Sequence, residues 1–194
     1  MPPITLEVPS GPNGDPLPVE MAHAVMEAVE NVSRAYNSCP ACWLRNHGYS
    51  AGNETAKCEH PEQHDAAIHG KLECLKFQAS LLGHTWQIGV MRSAAIGGSV
   101  ECLEYLHRNG CPWDPETTLA AAMNGHLDCL KYAHRNGCPW HPETTRTAGA
   151  HDHVNCLEYA HRNECPWDSE TTLAAAMNGH LDCLKYAHRN GCPW

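Results

Sequence analysis

The sequence has a single Phe among 194 residues and no apolar run near the 18 residues that a membrane-crossing helix needs. Membrane insertion is therefore not expected. The opening stretch, MPPITLEVPSGPNGDPLPVE, has no basic start and no apolar segment of signal-peptide length. This predicts a soluble, intracellular protein of the cytoplasm. Positive charge is scarce too, with 13 Lys and Arg against 22 Asp and Glu, a net charge of −9. Residues 1–70 hold nine acids against three bases and residues 71–194 thirteen against ten, so no segment is basic enough to track nucleic acid. Phosphate loops, nucleophile elbows and zinc-protease motifs are also missing, which points away from an enzyme.

What the chain does have is 12 Cys, 15 His and 6 Trp. In a reducing compartment such cysteines are thiols or metal ligands rather than bridges. Their spacing is regular. Cys111, Cys138, Cys165 and Cys192 recur every 27 residues, as do Trp113, Trp140, Trp167 and Trp194. A fixed period of that length signals stacked supersecondary units. One unit reads CPWDPETTLAAAMNGHLDCLKYAHRNG, and it spells helix, turn, helix, loop. Asp114 is a candidate N-cap with Pro115 at the first helical position, Leu119, Ala122 and Met123 form an apolar stripe, and Gly125 ends the helix. The second helix is expected from about Leu127 to Asn136, closed by Gly137 and stopped by Pro139. Relaxing the period by one residue brings AAIHGKLECLKF and AAIGGSVECLEY into register, so the array occupies about residues 60–194. Segments 106–140 and 160–194 differ only at Leu106/Ala160, Gly110/Glu164 and Pro115/Ser169.

The segment AAMNGHLDCLKYAHRNG resembles the core of the ankyrin repeat, and the 27-residue GCPW form is similar to degenerate ankyrin arrays of large DNA viruses and protists. The resemblance implies an all-α, ankyrin-like helix-turn-helix solenoid without long β-fingers, working as a non-enzymatic protein-binding scaffold. It also implies that the first helix of each unit lines the concave binding face. Histidines 126, 153 and 180 would then bond the backbone of the neighbouring unit.

Several columns admit two readings. Cysteines 74, 102, 129, 156 and 183 are small core residues or, alternatively, a metal or redox column. His107, His134, His161 and His188 fall in the last turn of the second helix, where protonation favours the helix dipole and mild acid becomes a modulator. Trp113, Trp140, Trp167 and Trp194 wedge between consecutive loops or present an aromatic ladder to a partner. In the middle unit Arg146, His151 and Asp152 replace Leu, Asn and Gly, as specificity residues or as drift. Glu164 takes the place of a capping Gly, a substitution that costs about 1 kcal/mol in a left-handed position. The last unit ends at Trp194 without a polar final repeat, which predicts that the face around Leu181, Leu184, Tyr186 and Trp194 is covered by a partner, a second copy or a larger assembly.

The N-terminal part reads differently. Residues 1–18 are proline-rich and expected to be extended or disordered. Residues 19–59 hold a helical stripe at Val25, Val29, Val32 and Tyr36, followed by a Cys/His module. Cys39, Cys42, Cys58 and His60 form a set suited to one structural zinc. The competing reading takes Asn37–Pro40 and Cys58–Glu62 as eroded repeat loops that hold no metal. The expected function is a protein-interaction adaptor. The alternative is a linker or structural subunit of a viral particle or organellar complex.

Overall fold

The computed structural model describes residues 62–81 and 85–194, with positions 24 and 27. Across residues 62–81 and 85–194 there are ten helices and no strand, and the fold is an all-α, ankyrin-like repeat solenoid. The segments 1–18 and 19–59, the zinc candidates among them, lie outside the described residues apart from those two positions.

The chain divides into two units. The first, residues 1–66 and 71–86, contains α2 (Leu72–Leu81) and most of α1 (Gln63–Ile68). Within it Gln63 Nε2 donates to Thr85 O at 2.9 Å, and Ala66, Cys74, Leu75 and Ala79 are fully buried. The second unit, residues 67–70 and 87–194, holds four helix pairs: α3 (Val90–Ile96) with α4 (Val100–Arg108), α5 (Glu116–Met123) with α6 (Leu127–Arg135), α7 (Thr144–Ala150) with α8 (Val154–Arg162), and α9 (Ser169–Met177) with α10 (Leu181–Arg189).

In this second unit the first helices α3, α5, α7 and α9 pack on one another in one row, and the second helices α4, α6, α8 and α10 form a parallel row. The second helices follow the expected pattern. Each buries its Cys and its neighbouring Leu or Ala, with Leu103, Leu130 and Leu157 fully buried; each such leucine contributes about 1.5–3 kcal/mol by removal from water. Gly110, Gly137 and Gly191 follow them with φ of 77 to 88°, and Glu164 takes the same conformation at φ 62°.

The first helices correct the expected stripe. In α5 the buried residues are Thr117, Thr118, Ala120, Ala121 and Ala122, whereas Leu119 is half-buried and Met123 is 43% exposed. Small side chains win the interior because α5 and α7 are each flanked by two other first helices, and Thr hydroxyls satisfy the loop carbonyls that close approach buries. Thr145 Oγ1 donates to Pro166 O at 2.8 Å and Thr172 Oγ1 to Pro193 O at 2.7 Å. The start of α5 also shifts by one residue: the helix begins at Glu116, with Pro115 already helical at φ −51°. Asp114 still caps it, accepting the Glu116 N–H at 3.0 Å.

The histidines that follow the tight turns tie one unit to the next. Nε2 of His126, His153 and His180 donates to Ile96 O, Met123 O and Ala150 O at 3.0, 3.1 and 2.9 Å. Gly98 and Gly125 make room for the first two rings, since a Cβ would stand within 2.7 Å of the imidazole while φ at both is 72°. This is the bond that the family resemblance implied.

Candidate functional site

The outward side of the first-helix row is built from one recurring position. Arg92, Leu119, Arg146 and Leu173 are each 27 residues apart, so they occupy the same place on α3, α5, α7 and α9. A place that accepts arginine and leucine alternately is not a core position, and their exposure agrees: the Arg92 and Arg146 side chains are 53% and 48% exposed and Leu173 is 49% exposed. Met123 and Met177, one turn further on, are exposed by 43% and 78%. An acidic row runs beside them, with Glu116 at 4.0 Å from Arg92 and Glu143 at 3.2 Å from Arg146. Met123, Leu173, Met177 and Arg92 are thus surface residues that the helical-stripe reading missed, with Leu119 half-buried at the same register. The interchange of Arg and Leu at one register was the available signal.

The divergent α7 places its three substituted residues on the surface. Arg146 and His151 are exposed, and His151 Nδ1 donates to Thr147 O at 2.9 Å with its ring stacked over His153 at 6.4 Å. Asp152 has φ 61° and a carboxylate 3.9 Å from His180 Nδ1. Gly149, which replaces Ala122 of the preceding unit, faces Thr171 O closely enough that a Cβ would lie 3.1 Å from it.

The tryptophans lie between units. Trp113 Nε1 donates to Asn136 O at 3.0 Å and Trp140 Nε1 to Asn163 O at 3.1 Å. Each ring is set between a histidine of one second helix and a tyrosine of the next: His134, Trp140 and Tyr159, then His161, Trp167 and Tyr186. The His161 and Trp167 rings stack at 3.7 Å. The tyrosine hydroxyls close the group on Nδ1 of His107, His134 and His161 at 3.0 to 3.2 Å. Burial, with Arg162 nearby, holds His161 below the usual histidine range, which opposes its protonation in mild acid. Trp113, Trp140 and Trp167 are half-buried by this packing, and Tyr186 with them. Leu184 is also half-buried, while Leu181 and Trp194 are 58% and 73% exposed.

The cysteines are all free and buried among the described residues. Burial pushes Cys129, Cys138, Cys165 and Cys183 up to about 12, and Cys111 and Cys156 up to about 11, aided at Cys129 by Asp128 and at Cys183 by Asp152. Thiolate is the form that attacks carbon or binds metal, and burial disfavours it at these positions. Among the described residues no cluster of three or more His, Cys, Asp or Glu is arranged to hold a metal, and no helix is long and apolar enough to cross a membrane. Cys39, Cys42, Cys58 and His60 lie outside the described residues.

Compared with sequence-family models and with curated proteins, the sequence matches none. Among solved structures it is similar to the human ASB11 ankyrin repeat domain, at 19% identity and a TM-score of 0.55, over 67% of this chain and 69% of that one.

Proposed function

We propose that this chain is a non-enzymatic protein-interaction scaffold, an adaptor that meets its partner through the outward side of α3, α5, α7 and α9. The observation that carries this reading is the column Arg92, Leu119, Arg146, Leu173 with Met123 and Met177. Arg92, Met123, Arg146, Leu173 and Met177 are large and exposed, and Leu119 is half-buried beside them. Apolar and charged knobs at regular intervals are what a specific protein surface needs. The likeness to an ankyrin repeat domain supports it, and the high thiol pKa values speak against cysteine nucleophiles. Arg146, His151 and Asp152 set this surface apart in the middle unit and are the proposed specificity residues.

A photo-crosslinking amino acid placed at positions 119, 146 and 173 is expected to give discrete adducts in cells that express the chain. The same group at the exposed second-helix positions 128, 155 and 182 should give none. Equal labelling from both sets would sink the assignment of the face.

A second reading, an embedded subunit of a larger assembly such as a viral particle or organellar complex, draws support from the last unit. Met177, Leu181 and Trp194 are each exposed there. Light scattering on the purified chain distinguishes the two, since an embedded subunit associates through these residues while an adaptor stays monomeric.

A further inference from the structure

At the start of α7 a histidine stands where the neighbouring units use an aspartate. Asp114 and Asp168 each accept, at 3.0 Å, the backbone N–H two residues on, from Glu116 and Glu170. Residue 141 lies 27 residues from each, and its Nδ1 accepts the Glu143 N–H at 3.2 Å. An imidazole nitrogen accepts only when it carries no proton, so this cap requires the tautomer protonated on Nε2. That Nε2 lies 3.6 Å from Glu116 Oε1. The residue is held in place by its backbone: its N–H donates to Thr118 Oγ1 at 3.0 Å, and its carbonyl accepts from Thr144 Oγ1 at 2.8 Å. The ring is only 22% exposed. The surrounding charges are Glu116 on α5, Arg92 on α3 at 4.0 Å from that same carboxylate, and the mutually paired Glu143 and Arg146 at 3.2 Å on its own side.

We propose that His141 is a proton-operated latch at the entry to α7: protonation exchanges its hydrogen bond from the N–H of Glu143, the residue before the helix, for an ion pair with Glu116 of the preceding unit. A second proton turns Nδ1 into a donor facing a donor. It also sets a positive charge at the positive end of the helix. The carboxylate it gains is 41% exposed and already shared with Arg92, and such pairs return less than a cap gives. Protonation therefore loosens the entry to α7 at Glu143, whose carboxylate pairs with Arg146 of the first turn. At the starts of α5 and α9 the acceptors are the carboxylates of Asp114 and Asp168, which have no imidazole to make this exchange. That Arg146 belongs to a binding face rests on the reading above, whereas the cap exchange does not.

The test is residue-resolved amide NMR and hydrogen exchange on the full chain between pH 7.5 and 5.5, for wild type and His141→Asp. This variant uses the residue of the sister units and is expected to fold. In wild type the Glu143 amide shift should change in step with the His141 ring signals. Its protection, corrected for intrinsic exchange, should fall about fivefold, the equivalent of one lost cap. Glu116 and Glu170 should stay constant, and in His141→Asp so should Glu143. A Glu143 amide that is flat across this range, that gains protection in acid, or that moves in step with Glu116 and Glu170 overturns the proposal.

Discussion

The carboxylate of Asp152 lies 3.9 Å from Nδ1 of His180, at a place that residues 98, 125 and 179 fill with glycine. The chain there has φ 61°, in the left-handed region, and His180 still reaches across to Ala150 O with its other nitrogen. The middle unit thus departs from its neighbours twice in backbone terms, at Asp152 and at Glu164, and the two differ in what the side chain meets.

Glu164 carries the strain without a compensating neighbour in the turn: in the sister turns, the sites of Gly110, Gly137 and Gly191 have nothing within 4 Å of an added Cβ. Glu164→Gly should raise stability by about 1 kcal/mol. Asp152→Gly should gain less, because it also removes the contact with His180. Urea denaturation of both variants measures the difference.

Thr117 is buried with no partner for its hydroxyl, because the residue that would answer it in the preceding unit is Met91 rather than a threonine. In the next seams Thr118 meets Thr144 at 3.5 Å and Thr145 meets Thr171 at 3.4 Å. Thr117→Val should be neutral or stabilising by up to about 1 kcal/mol, whereas Thr145→Val, which strands Pro166 O, should cost about 1 kcal/mol. Paired thermal melts decide it.

The pH response of His161 has a definite sign. Burial and Arg162 lower its pKa in the fold, so the unfolded chain binds the proton more readily. The stabilisation is complete above the unfolded histidine pKa and is lost as pH falls from there toward the lowered value. His161→Gln should flatten the slope of stability against pH below about 6.5, where an ordinary histidine begins to charge. Stability curves at pH 7.5, 6.5 and 5.5 read that slope directly.

Cysteines 129, 138 and 165, held up to about 12, should resist iodoacetamide at pH 8 in the native protein and react fully in denaturant. Mass spectrometry of tryptic peptides after timed labelling checks this. Rapid native labelling of Cys129 would return the cysteine column to the list of reactive sites.

For the N-terminal module, we propose one zinc on Cys39, Cys42, Cys58 and His60. Native mass spectrometry of protein made in zinc-supplemented medium should show one metal per chain. Chelator treatment or Cys42→Ser should remove it. A metal-free spectrum would favour eroded repeat loops.

Helix count, period and turns were legible in the sequence because glycine, proline and the buried Cys-Leu pairs report backbone directly. The bonds of His126, His153 and His180 came through the family resemblance. The outward placing of Met123 and the half-burial of Leu119 were not legible from the stripe. Apolar residues at helical spacing look like core when one helix is considered alone, and only the neighbouring first helices reveal that Thr117, Thr118 and Ala121 fill the seam. His141 escaped notice for a different reason: a histidine in a loop shows its role only once its nitrogen is placed against the Glu143 amide.

The side-chain bonds that join one unit to the next bridge between 21 and 35 residues of sequence, from Thr145 to Pro166 up to Cys183 to Ala148. Each seam is therefore closed by short loops, which folding can form quickly and in any order. Under load the same design behaves as a row of separable coils. Pulling from the ends should release the array in steps of about one repeat, and the strained unit with Asp152 and Glu164 should yield first.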